Sequence, residues 1–115
     1  MTSPGEIYWA DLEPSGPRPV IIVSRGDLNR GAYVVEIACT SARFSERSKL
    51  RNCVPFFAGQ FGFTVNTVAQ CKNIFPIKIA QIRLTLGPIG ILDDECMREV
   101  VKAIGYVIGC DCEPI

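Results

Sequence analysis

Two polar residues beside apolar runs are candidates for chemistry. Arg18 follows a Gly-Pro pair and precedes the apolar run 20–24, and Thr40 ends the apolar stretch 33–40. A guanidinium held at a rigid strand edge can bind a phosphate with two hydrogen bonds and stabilise the charge that develops in phosphoryl transfer. A threonine hydroxyl can donate to a phosphate oxygen. The alternative interpretation is a surface arginine and an ordinary strand-end threonine.

The segment 41–51 is markedly basic. Its only acid is Glu46, and its cations are Arg43, Arg47, Lys49 and Arg51. Such a run is either a solvated loop or a source of the positive field that a nucleic-acid backbone requires. Because Ser41 follows Thr40 directly and Arg43 lies three residues after it, we take both as candidate phosphate contacts.

The composition limits the classes of function. The 115 residues include 12 Lys and Arg against 12 Asp and Glu, so the net charge does not by itself indicate a nucleic-acid binder. A local basic patch would be sufficient for such a function. The chain contains no histidine. Catalysis by histidine, Ser-His-Asp triads and histidine metal sites are therefore excluded within this chain.

The six cysteines are interpreted as reduced thiols. Four of them lie in apolar stretches, where cysteine behaves as a small buried hydrophobe: Cys39, Cys53, Cys71 and Cys96. Neither a secretory leader nor a run of about 18 apolar residues is visible, so we expect a cytoplasmic protein without a membrane span. The pair Cys110 and Cys112 lacks a second pair, and no metal site is predicted.

Hydrophobic patterning predicts short strands joined by polar turns. The strands are predicted over residues 5–12, 20–24, 33–40, 54–57 and 67–74. Residues 13–19, 25–31 and 41–51 are predicted turns or loops, and 77–84 is compatible with strand or helix.

A C-terminal helix follows the strands. Asp93 is a suitable N-cap, and Asp94 and Glu95 in the first turn favour the positive end of the helix dipole. The apolar residues that follow have helical spacing: Met97, Val100, Val101, Ile104, Val107 and Ile108. We therefore predict a single domain over 1–115 with a mixed β fold and a C-terminal helix, as a strongly bent antiparallel sheet or small barrel.

Three segments, in this order, resemble the MazF/PemK family of bacterial toxins. The first is GEIYWADL at 5–12, followed by RPVIIVS at 18–24. The second is Asp27-Leu28-Asn29 with a strand that ends in Thr40-Ser41, and the third is Val54-Pro55 followed by NTVAQCKNI at 66–74. The ordered set covers nearly the whole chain.

This resemblance implies an SH3-like small barrel and a homodimer whose interface groove binds single-stranded RNA. It also implies a cognate antitoxin that fills the groove, and an endoribonuclease that cleaves mRNA without metal or cofactor, leaving a cyclic phosphate and a 5′ hydroxyl. Arg18 and Thr40 match the catalytic positions. The RNA contacts would be Ser41, Asn29, Arg43 and Asn73, although Asn29 also fits a structural role in its loop.

The sequence departs from the family pattern at two places. Residues 13–17 replace a longer loop whose acidic residue has no counterpart except Glu13, and Phe75-Pro76 stand where Arg-Thr is usual. Asn73 replaces a glutamine. These departures predict an altered sequence preference or reduced activity. A non-catalytic homologue, or a gyrase-directed toxin of the same fold, remains the alternative.

The aromatic residues have two interpretations. Trp9 is predicted to lie in the core. Phe61 and Phe63 belong to a glycine-rich turn, where an exposed ring could stack on a base.

Overall fold

In the computed structural model, which describes residues 2–110, six strands form one antiparallel sheet that curls into a half-barrel. The strands are β1 (Glu6–Leu12), β2 (Gly16–Ile22), β3 (Tyr33–Thr40), β4 (Cys53–Phe56), β5 (Thr67–Lys78) and β6 (Gly90–Ile91). Their order across the sheet is β4-β5-β3-β2-β1-β6. The two helices of this part of the chain are α1 (Phe44–Arg47) and α2 (Asp94–Val107).

Strand β2 begins earlier than predicted. It starts at Gly16, so only residues 13–15 connect it to β1, and Arg18 lies inside the strand opposite Ala10. Over 16–19 β2 pairs with β1 alone, whereas its ladder with β3 begins at Val20. Proline lacks the N–H that a second ladder would need, so Pro17 and Pro19 fit this one-sided stretch. The prolines thereby leave the sheet open between β2 and the end of β3.

Strand β5 is longer than predicted and contains a wide bulge. Its ladder with β3 places Ile37 opposite Ile74 and Cys39 opposite Ala69. Residues 70–73 therefore lie opposite the single residue Ala38. The ambiguous segment 77–84 contains the end of β5 and a 3-10 helix, Ile79–Gln81.

The two faces of the sheet have separate cores because side chains alternate along each strand. On one face, Ile37 and Cys39 of β3 pack in the cluster that α2 covers through Val100 and Ala103. On the other face, Val34 packs in a smaller cluster with Val20 and other residues of β1, β2 and β5. Since Glu36, Ala38 and Thr40 share the parity of Val34, they belong to the face opposite α2.

Helix α2 begins as predicted. The Asp93 carboxylate accepts a hydrogen bond from the Cys96 N–H at 2.8 Å, and this contact lowers the pKa of the acid. The apolar set was wrong at two positions. Val101 is exposed on the helix, and Ile108 lies just beyond its end and is 70% exposed.

Two further expectations were wrong, for residues 41–51 and for Trp9, and one short strand was missed. Residues 41–51 contain the short helix α1 rather than only loop. Strand β6 was not predicted, because two residues are too few to show a pattern. Trp9 is 36% exposed, whereas Phe63 is buried.

The turn after β4 approaches β6 very closely. Gly62 has a φ of +87°, and a Cβ there would overlap with the Ile89 carbonyl. A Cβ on Gly90 would likewise overlap with the Phe61 carbonyl. The two glycines therefore allow a backbone-to-backbone contact that no other residue type permits.

Cys39, Cys53, Cys71 and Cys96 are free thiols, and the first three of them are buried. Burial raises their pKa values, so these thiols are poor nucleophiles. Cys112 lies outside the described residues. No helix within residues 2–110 is long and apolar enough to span a membrane.

Candidate functional site

A cleft of about 290 Å³ opens where β2 and β3 are not paired. It brings together three residues selected from the sequence, namely Arg18, Thr40 and Asn73. The other residues of its wall are Ser15, Ala38, Cys39, Ala42, Arg47 and Gln70. We call this cavity the anion cleft.

The strand register explains why Arg18 and Thr40 meet. Val20 lies opposite Ala38, and Ile22 lies opposite Glu36. Continuing this register by two residues places Arg18 beside Thr40 on the same face of the sheet. The two side chains therefore flank a gap where backbone hydrogen bonds would otherwise close the sheet.

Thr40 is held in a fixed orientation. It is buried, and its Oγ1 accepts a hydrogen bond from the Ala42 N–H at 3.2 Å. A hydroxyl that accepts one bond still carries its own proton. Thr40 can consequently donate that proton to an oxygen atom of a ligand in the cleft.

The second cation of the cleft is Arg47. It belongs to the basic segment 41–51 but was not among the site residues predicted from the sequence. Arg43 has a left-handed backbone, with φ of 55°, and immediately precedes α1. The helix turn then places Arg47 at the cleft, while Ser41 and Arg43 are exposed and do not line it. The run of charges gave no signal for which cation would point inward, because a four-residue helix has no detectable period.

The bulge of β5 supplies the amides of the cleft. The Asn73 Nδ2 donates to the Gln70 Oε1 at 3.3 Å, and both residues lie in the stretch opposite Ala38. Gln70 was not selected from the sequence because the bulge, rather than simple alternation, decides where it points. The bulge thus directs the polar side chains of Gln70 and Asn73 to the wall of the cleft.

The anion cleft is electropositive. None of its lining residues is acidic, and both Arg18 and Arg47 reach it. Two guanidiniums, a fixed hydroxyl and amide groups form a set suited to a phosphate group.

Asn29 is not part of this cleft. It is buried, and its Nδ2 donates to the Thr2 carbonyl at 3.0 Å and to the Ser24 carbonyl at 3.1 Å. Its Oδ1 accepts from the Ser24 hydroxyl. These bonds use both N–H groups of the amide, so Asn29 fastens its loop to the N-terminal segment.

A second cleft, of about 400 Å³, adjoins the first and shares Ser15, Ala38 and Asn73 with it. Its remaining walls consist of Leu12, Glu13, Glu36, Phe75, Pro76, Ile77 and Gln81. We call this cavity the Glu36 cleft.

Glu36 is an unusual residue for the middle of a strand. It is 1% exposed, and its Oε2 has no hydrogen-bond partner. Burial raises the pKa of this carboxyl from 4.5 to about 7. Glu36 was not selected from the sequence, although a single acid inside the apolar run 33–40, with the parity of Thr40, was a detectable signal.

Within residues 2–110, no three His, Cys, Asp or Glu side chains gather in a way that could hold a metal ion.

The family profile for PemK-like, MazF-like toxins of type II toxin-antitoxin systems matches residues 3–108. The chain therefore belongs to this toxin family, as the resemblance in sequence predicted.

Solved structures of the family share the fold. The Mycobacterium tuberculosis toxin MazF-mt6 superposes with a TM-score of 0.78 at 23% identity, covering 93% of this chain and 99% of that one. A mycobacterial endoribonuclease solved with its cognate antitoxin gives 0.77 at 21%, covering 95% and 96%. A MazE-MazF structure from Deinococcus radiodurans gives 0.74 at 16%, also covering 95% and 96%. A search of curated protein sequences finds no match.

Proposed function

We propose that this chain is the toxin of a type II toxin-antitoxin pair and cleaves single-stranded RNA by metal-independent endoribonuclease chemistry. The observation that supports the proposal is the anion cleft, where Arg18, Arg47 and Thr40 surround a space without any acidic lining residue. A phosphate of RNA matches that charge and that pattern of donors.

RNA provides its own nucleophile, so the protein need not supply one. The 2′ oxygen forms a bond to the adjacent phosphorus, the bond to the 5′ oxygen breaks, and a cyclic phosphate and a 5′ hydroxyl remain. The 2′ hydroxyl releases its proton to water, and the leaving 5′ oxygen takes one from water, so that no net proton is consumed. Charge on the non-bridging oxygens increases in the transition state, where Arg18 and Arg47 stabilise it and Thr40 donates a hydrogen bond.

The partners follow from the same proposal. Two of the similar structures are described as toxin-antitoxin complexes, one of them an endoribonuclease with its cognate antitoxin. We propose that an antitoxin protein binds this chain and blocks its RNA-binding surface, and that the toxin acts as a homodimer in the cytoplasm. The free thiols are consistent with a reducing compartment.

The test is incubation of the purified protein with a long RNA in EDTA, followed by mapping of both new ends. We expect internal cuts with a cyclic phosphate on one side and a 5′ hydroxyl on the other. Cleavage that disappears in EDTA and returns with magnesium would contradict the mechanism.

A non-catalytic member of the family is the second candidate. The short connection over 13–15 favours it, because little chain is left to cover the cleft. A protein that binds antitoxin but cuts no RNA, with or without magnesium, would support this candidate instead.

A further inference from the structure

We propose that the Glu36 cleft is a nucleobase pocket that selects guanine next to the reacting phosphate, with Glu36 as the acceptor for the base. The inference rests on the proposed cleavage of RNA and names the base that this site prefers. Four observations carry it: the adjoining cavity, the unpartnered carboxylate oxygen, an exposed aromatic ring and the distance to Thr40.

The distance assigns Glu36 to a base rather than to the reacting phosphate. Glu36 and Thr40 lie four residues apart on one face of β3, and a strand rises by roughly 3.3 Å per residue. Their Cα atoms are therefore about 13 Å apart. A general base must lie within about 3 Å of the proton it removes. A separation of this size instead suits the base of a nucleotide whose phosphate occupies the anion cleft.

The chemistry of the pocket favours guanine. Its Watson–Crick edge presents two adjacent N–H donors, N1–H and the 2-amino group, which match the two oxygens of a carboxylate. Adenine and cytosine present only one exocyclic amino group on that edge, and uracil flanks its N–H with two carbonyls that a carboxylate repels. A ligand of this type would supply the partner that the Glu36 Oε2 lacks.

The walls fit a flat ring. Phe75 lies directly opposite Glu36 in the β3–β5 ladder, and its side chain is 55% exposed. An exposed aromatic ring beside a cavity is a stacking surface for a base. Asn73 uses one N–H of its amide on Gln70 and retains a second, which can donate to the guanine O6.

The ionisation of the Glu36 carboxyl should control the preference for guanine. The titratable neighbours of Glu36 are Glu13, across the same cleft, and the Cys39 thiol, whose pKa Glu36 helps to raise. The lining residues from β5 and the 3-10 helix are uncharged, and β2 places Ile22 opposite Glu36. The two donors of guanine favour the ionised carboxylate, so binding strengthens as pH rises through about 7.

The experiment measures the affinity of the protein for RNAs that cannot be cleaved, so that binding and cleavage are kept separate. Short single-stranded RNAs with 2′-O-methyl riboses cannot react, and each carries one guanine, inosine or adenine in a uridine context. We expect the wild-type protein to bind the guanine strand about tenfold more tightly than the inosine strand, which lacks the 2-amino group. Adenine should be weaker again, and the preference should be larger at pH 8 than at pH 6.

Two variants test whether Glu36 is the residue that recognises the base. In Glu36→Gln, one acceptor becomes a donor, so the difference between guanine and inosine should vanish. Glu99→Gln removes the same charge from α2, on the opposite face of the sheet, and should keep the difference. The comparison of bases on wild type needs no variant, so poor folding of Glu36→Gln would not remove the test.

The proposal that Glu36 selects guanine would be overturned if the wild-type protein bound all three strands equally. It would also be overturned if folded Glu36→Gln kept an unchanged preference. Metal-independent cuts with no guanine near them would overturn it while leaving RNA cleavage intact. Absence of both binding and cleavage would overturn the pocket together with the proposed function.

Discussion

Arg18 lies in a stretch of β2 that pairs on one side only, so its guanidinium faces the open anion cleft. If it stabilises the pentacovalent phosphorane, Arg18→Ala should slow single-turnover cleavage of a short RNA by about 10²–10³-fold. Arg18→Lys should recover little, since an ammonium cannot reproduce a two-pronged contact with phosphate. RNA affinity should fall far less than the rate.

Arg25→Ala is the matched control, because Arg25 is exposed, pairs with Asp27 and does not line the anion cleft. It should cleave like wild type. Melting curves would confirm that the variants fold. Full activity in a folded Arg18→Ala protein would exclude Arg18 from the mechanism.

Arg47 and Arg43 offer a comparison within one segment. They are four residues apart and chemically identical, yet only Arg47 lines the anion cleft. Arg47→Ala should lower kcat/KM for RNA by about tenfold or more through lost charge stabilisation, whereas Arg43→Ala should change it by about twofold at most. Steady-state cleavage at fixed ionic strength measures both. A larger loss from Arg43→Ala would show that α1 points the other cation at the substrate.

Glu36 should make stability depend on pH. Its pKa is raised in the folded protein, from 4.5 to about 7, so the folded state holds the proton more tightly than the unfolded state. The stability that this proton provides is complete below pH 4.5 and is lost as pH rises to about 7. The shift corresponds to about 3 kcal/mol.

Replacing the acid tests this linkage. Relative to wild type, Glu36→Gln should gain free energy of unfolding between pH 4 and pH 8, because glutamine cannot ionise. Urea unfolding of both proteins across this range is the measurement, and comparison at each pH cancels the titration of Asp11 and Asp93. A difference between the two proteins that stays constant with pH would contradict the raised pKa.

At the scale of elements, the sequence predicts those strands and helix ends that depend on the local pattern of residues. The bounds of β3 and the Asp93 cap of α2 were correct, since each follows from periodicity or from a side chain beside its own helix. The strand β6 depends on β1, where Glu6 pairs with Ile91, and could not be seen locally. The one-sided pairing around Pro17 also depends on tertiary contacts.

The candidate site was predictable to a similar degree. Arg18 and Thr40 could be selected because each ends or adjoins an apolar run and, above all, because each matches a catalytic position in the family that the sequence resembles. Gln70 could not, because the bulge in β5 decides its direction, and Arg47 depends on the turn that begins at Arg43. Sequence pattern therefore identifies the strand ends, while the irregular backbone between them decides what else joins the cleft.

The contact between the β4–β5 turn and β6 can be tested with two glycines of the same turn. Gly62 has positive φ and no room for a Cβ beside Ile89, whereas Gly59 has a φ of +93° and open space. Gly59→Ala should cost only the conformational strain, about 1 kcal/mol, and Gly62→Ala should cost about 3 kcal/mol or more. Denaturant unfolding measures both, and equal losses would show that the turn can move away from β6.

At the scale of the whole molecule, the surface indicates association. Many large apolar side chains are at least 36% exposed, among them Leu86, Ile91, Val101 and Ile108. A small domain that leaves this much apolar area in water is expected to bury part of it against another chain. We therefore predict a homodimer at micromolar concentration, which light scattering or sedimentation would measure. A monomer under these conditions would count against the dimer.

The alternation along β3 has a consequence for engineering. Ile37 and Cys39 pack in the core under α2, although Cys39 also borders the anion cleft, whereas Glu36, Ala38 and Thr40 face the two clefts. Randomising positions 36 and 38 should therefore spare the packing beneath α2, and selection on such a library would sample new substrates among the variants that keep the smaller core on the cleft face. Changes at 37 or 39 would disturb the core, and we expect many of these variants to fail to fold. A single strand thus alternates, residue by residue, between positions that face a substrate and positions that pack beneath α2.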